Sequence, residues 1–158
     1  MSLELLIAIC EVVGAVAVVV SLIYVGYQIR DNTTSQHAMM HQHLSDSQNE
    51  ANRGISERPE VADLLARAND DLQALSEADR IRLDFVYFTF FNLWHSAFAN
   101  YRRGMLEESI WLQWDHGYEW LTRRPATKEV WRGLADIYEP EFRAHVGTKL
   151  ERSGSGTA

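Results

Sequence analysis

From Val12 to Ile29 the chain runs for eighteen residues without a charge, and its apolar character begins at Leu5. The 25 residues Leu5 to Ile29 rise about 37 Å as an α-helix, enough to cross a hydrocarbon core of about 30 Å with some tilt. The Val-rich stretch from Val16 to Val20 leaves no polar face wide enough to meet water. A cleaved signal would carry a basic start and a small-x-small cleavage site. "MSLE" has no Lys or Arg, and "YVGYQIRDNTT" has no such site. Residues 1–30 therefore read as a transmembrane helix, with Tyr24 and Tyr27 as interfacial aromatics and Arg30 marking the end that stays inside.

Glu11 heads this span. At about 100° per residue, Glu11, Gly14, Ala17, Ser21 and Gln28 fall within an arc of roughly 120°, joined one heptad earlier by Glu4. Small side chains let helices approach closely in lipid and polar ones bond across the contact, so the stripe reads as a helix–helix surface, with self-association its simplest use. In a ring of protomers the same stripe would line a pore, with Glu11 as a cation-selecting ring. The plainer alternative makes Glu11 a hydrated acid at the membrane edge.

The other 128 residues of the 158 suffice for one domain of ordinary size. A hydrophobic fraction of 46% and five tryptophans require a packed core. The net charge of -7, from 15 basic and 22 acidic residues, argues against a nucleic-acid partner, because phosphate neutralisation needs grouped cations. Arg pairs occur in "YRRG" and "LTRRP", each near acids. The single cysteine, Cys10, excludes an intrachain disulfide and a thiolate cluster.

Helical periodicity continues past the span. Residues 31–58 form a polar juxtamembrane helix with a seam of Met40, Leu44, Ser47, Ala51 and Ile55, and Gly54 is placed to end it. An α-helical domain follows over 59–151. Pro59 opens a helix burying Val61, Leu64, Leu65 and Ala68. Ser76 caps the next, with Asp79 at the capping-box position and Gly104 as its stop. That helix carries Leu83, Tyr87, Phe90, Phe91, Trp94, Phe98 and Tyr101 on one face, widened by Ile81, Phe85 and Phe88, so it should be central. A further helix presents Ile110, Trp111, Trp114, Tyr118 and Leu121 and ends at Pro125; Thr127 caps the next and Pro140 opens the last. Residues 152–158 read as a flexible tail. The expected fold is all-α: an N-terminal transmembrane helix continuing into a helical-bundle soluble domain.

Catalytic motifs are missing. His37 and His41 stand at i, i+4 with His43 nearby, a weak metal candidate without the third and fourth ligands such sites need. No cofactor is implied. His95 among aromatics suits a core histidine bonded to an acid. Asp115 beside His116 could form an acid–base pair, although neighbours on a helix point apart, and Glu141 with His145 suits a surface pair. Trp111, Trp114, Trp120 and Trp131 could form an aromatic cage, with core packing the default.

In "SLIYVGYQIRDNT", "RPEVADLLARANDDLQALSEADRIRL", "RRGMLEESIW" and the "W" followed by "PEFRAHV", the chain resembles a group of small uncharacterised bacterial single-pass membrane proteins, a domain of unknown function. The resemblance implies a bacterial inner-membrane protein with a helical body, cytoplasmic if Arg30 governs its orientation. It implies no activity. The expected partners are the lipid bilayer and further copies of the chain, in an interaction or scaffold role; an ion channel or pore is the alternative.

Overall fold

The computed structural model describes residues 3–155. Among these there are six α-helices, two short 3₁₀ turns and no strand: α1 Leu3–Ser56, α2 Pro59–Asp70, α3 Glu77–Arg102, α4 Glu108–Thr122, α5 Pro125–Leu134 and α6 Pro140–Ser155. The protein is all-α, as its periodicity indicates. Contacts divide it into two compact units, Met1–Met39 and Met40–Ala158. The boundary lies inside α1, which runs unbroken for 54 residues.

Among the described residues of the first unit, the apolar stretch of α1 is uncovered. Val16, Val18, Val19, Val20, Leu22 and Ile23 are each more than half exposed, and α1 is the one described helix long and apolar enough to cross a membrane. The end of α1 belongs to the second unit, where Leu44 is buried and Met40 and Ile55 pack against the core. Gly54 does not stop this helix. It continues to Ser56, because Pro59 excludes the helical conformation at Arg58, whose backbone is extended (φ -122°, ψ 90°).

Local rules set most other boundaries. The Ser76 hydroxyl accepts the Asp79 amide at 3.2 Å, as an N-cap should. At the far end of α3, Gly104 takes φ 70°, and the amides of Gly104 and Met105 donate to the carbonyls of Tyr101 and Asn100, both at 2.9 Å. That is a Schellman stop, and the left-handed residue at its corner favours glycine. Thr127 is not a cap. Pro125 already opens α5 after an extended Arg124, and the buried Thr127 hydroxyl donates instead to the Leu121 carbonyl at 2.6 Å. The last helix reaches Ser155, so part of the expected tail is helical; residues 156–158 lie outside the described residues, as does the Glu4 side chain.

In the second unit α3 packs against α2, α4 and α5, and α6 packs against α4. Phe91, Trp94, Phe142 and Val146 are completely buried, with Tyr87, Leu83 and Leu121 nearly so. Burying one such side chain stabilises by about 1.5–3 kcal/mol before entropy is counted. The apolar surface of α3 is narrower than its sequence suggests: Ile81 is 52% and Phe85 66% exposed. These two side chains lie largely outside the packed face of α3.

Candidate functional site

The stripe on α1 is accessible, with Glu11, Gly14, Ala17, Ser21 and Gln28 all exposed. Its polar groups are partly satisfied by their own helix. The Ser21 hydroxyl donates to the Ala17 carbonyl at 2.9 Å and the Gln28 amide to the Tyr24 hydroxyl at 3.2 Å. Thr33 and Thr34 similarly return to the carbonyls of Ile29 and Arg30. Such bonds let hydroxyls enter or border lipid without an unpaired donor.

The histidines do not converge. Among the described residues no group of three or more His, Cys, Asp or Glu side chains could hold a metal ion, His37, His41 and His43 included. His95 packs on Tyr138 and Phe142. Its Nε2 lies 3.5 Å from Glu139 Oε1 without a hydrogen bond, a loose approach to a half-exposed acid rather than the core bond expected. The four indoles form no cage. Trp111 stacks on Tyr101, Trp131 on Tyr138 and Trp114 on Tyr118, while Trp120 meets the Phe90 edge and carries Arg124 over its ring at 5.4 Å.

The most concentrated chemistry lies where α3, α4 and α6 meet. Asp115 is 6% exposed. Its Oδ1 accepts from Trp94 Nε1 at 3.1 Å and from His145 Nε2 at 2.6 Å. Its Oδ2 lies 2.7 Å from Lys149 Nζ, which also reaches Glu119 Oε1 at 3.1 Å. Trp94, Phe98 and Trp111 surround the His145 ring. The pairings expected from sequence are corrected: Asp115 binds His145 rather than its neighbour His116, and His145 serves Asp115 rather than Glu141. Lys149 was not anticipated at all. A signal for it exists, because Asp115 and Glu119 are spaced i, i+4 on one helix and His145 and Lys149 i, i+4 on another, so that two like faces of opposite charge can zip together.

Burial pushes the Asp115 carboxyl up, but hydrogen bonds from His145 and Lys149, with their charges, outweigh it and hold the group below the ordinary carboxylate range. An ionised Asp115 requires the proton of the shared His145 bond on Nε2. Each Asp115 oxygen is therefore occupied by donors, and among the described residues no hydroxyl or thiol is bonded to the histidine. The cluster can pin α6 to α3 and α4 in one register. With the proton on Nε2, a neutral His145 ring keeps its lone pair on Nδ1.

On its outer side the aromatic stack continues from Trp94 to Tyr118, with centroids 5.4 Å apart. The Tyr118 hydroxyl donates to Gln48 Oε1 at 2.6 Å, beside an open cleft between the end of α1 and α4.

Comparison with protein-family models, with curated proteins and with solved structures finds no match.

Proposed function

We propose that the chain is a single-pass membrane protein whose α1 crosses the bilayer through residues 5–29 and whose helical body serves an interaction or scaffold role. In this reading the membrane is a bacterial inner membrane, Arg30 keeps the body on the cytoplasmic side, and copies associate through the face bearing Glu11, Gly14, Ala17, Ser21 and Gln28. The supporting observation is the uncovered apolar surface of the first unit: none of the most apolar part of α1 is buried. A soluble protein seldom leaves so large a contiguous apolar surface to water. At the centre of a span each Val, Leu or Ile favours insertion by about 0.3–0.6 kcal/mol, while a carboxylate near the end of a helix can reach the interface at smaller cost than one at the centre. The body contributes a well-packed fold, in which Asp115 is held by Trp94, His145 and Lys149.

Native mass spectrometry of the full-length protein released from detergent tests the self-association. Dimers that revert to monomers when Gly14 and Ala17 are replaced by leucine are the expected result. A monomer at all concentrations would remove the self-association, and a closed ring of four or more would favour a pore lined by Glu11, Ser21 and Gln28.

A further inference from the structure

Between the last turns of α1 and helix α4 lies a cleft of about 380 Å³. Its floor is the buried Tyr118, held by Gln48. Trp114 and Trp120 supply aromatic surface, and Gly117, exposed on the same helix, leaves the lip open. The polar positions are His41, Ser45, Asn49 and Gln113. Among the described residues these four side chains make no hydrogen bond or ion pair within the chain.

The lining residues narrow the class of ligand. No Asp, Glu, Lys or Arg lines the cleft, although 23% of the chain is charged. Nearby Lys149 is engaged with both Asp115 and Glu119. An ammonium ligand would give up hydration here without meeting an anion, and a phosphate or carboxylate would find no permanently charged side chain in the lining, where His41 is the one group able to become cationic. A wholly apolar ligand would instead strip water from the amides of Asn49 and Gln113 and return no hydrogen bond. Two amides and a hydroxyl each both donate and accept, which matches a group that does the same. An indole beside them suits a ring with an apolar C–H face. Hydroxyl groups around such a ring define a sugar, and a cleft near the lower end of the usual range of about 300–1,000 Å³ holds one or two rings.

We propose that this cleft binds a neutral sugar of one or two pyranose rings, stacked on Trp114 and hydrogen-bonded by Asn49 and Gln113. The site is independent of how α1 anchors the chain. A side chain at Gly117 would enter open space at the lip of the cleft rather than the core.

The test is titration of the full-length protein, labelled at its indole nitrogens and held in a non-glycosidic detergent, with methyl glucoside and cellobiose. Adenosine and glucose 6-phosphate serve as flat-neutral and charged comparators. Saturable shifts of the Trp114 and Trp120 indole signals by the neutral sugars, with a Kd on the order of 1 mM and with Trp94 unmoved, are expected. Gln113→Ala should weaken binding about three- to tenfold, and Gly117→Leu should abolish it; both positions are exposed, so the fold survives. The absence of saturable shifts with the sugars, equal binding by Gly117→Leu, or the same shifts produced only by adenosine or glucose 6-phosphate would each overturn the proposal.

Discussion

Replacing Asp115 by asparagine should destabilise the helical body by about 3 kcal/mol. The change keeps the size of the side chain and an oxygen for Trp94 Nε1, so it creates no cavity, while the amide NH2 that replaces Oδ2 faces Lys149 in place of a charge. What it leaves behind is Lys149, whose side chain is only 13% exposed, with Glu119 as its remaining anion at 3.1 Å. Removing one partner of a buried pair costs about 3–5 kcal/mol, mainly because the other charge is stranded. Glu119 is 42% exposed and offsets part of this, which places the expected loss at the lower end. The same reasoning makes Asp115→Asn combined with Lys149→Met nearly as stable as the starting protein, since no charge is then stranded. All five tryptophans lie between Trp94 and Trp131, so urea unfolding of the detergent-held full chain followed by intrinsic fluorescence reports the body and not the span. A loss below about 0.5 kcal/mol, the scale of an ordinary surface substitution, would refute the reasoning. So would a double variant whose loss is the sum of the two single losses.

The remaining expectations use the same unfolding assay. Gly104→Ala should cost about 1 kcal/mol, because φ 70° forces a side chain into the left-handed region; an unchanged midpoint would mean that the Schellman turn relaxes freely. Thr127→Val should cost about 1 kcal/mol through loss of the hydroxyl bond to Leu121, and Thr127→Ser should retain part of it. Hydrogen bonding to Arg67 holds Asp79 low, and Lys149 does the same for Glu119; Asp115 is held low by its cationic partners against burial. Depressed folded pKa values confer stability that is present above the unfolded carboxylate pKa of about 4. That contribution is lost as pH falls through the folded values, so stability should hold from pH 7 to about 4.5 and then drop. Asp115→Asn should make the drop shallower, and an identical acid profile in the variant would contradict the assignment.

The fold was legible in the sequence wherever a local rule decided it. Ser76 and Gly104 mark the ends of α3 because a hydroxyl cap and a left-handed glycine act on their own backbone. Pro59, Pro125 and Pro140 each open a helix for the same local reason. Errors arose where tertiary surroundings chose between two local options. Thr127 reads as a cap in isolation, but Pro125 had already set the helix start, which freed the hydroxyl for a carbonyl in the core. Phe85 and Ile81 look like part of a core face until the neighbours of α3 are known to cover only part of its circumference. The ionic cluster was the least legible feature. Sequence proximity pairs Asp115 with His116, while its ionic partners lie on α6, and only the i, i+4 pairing of charges on both helices hints at the match. In the first unit the sequence sufficed to find the apolar helix, because it follows from composition and helical phase alone.

Anchoring by α1 is tested most directly by alkaline carbonate extraction of bacterial membranes containing the full chain. Retention in the membrane pellet is expected, with release into the supernatant when Val18 and Leu22 are both replaced by aspartate, each substitution costing about 2.5–3.5 kcal/mol near the middle of a span. Release of the unaltered protein by carbonate would contradict a transmembrane α1.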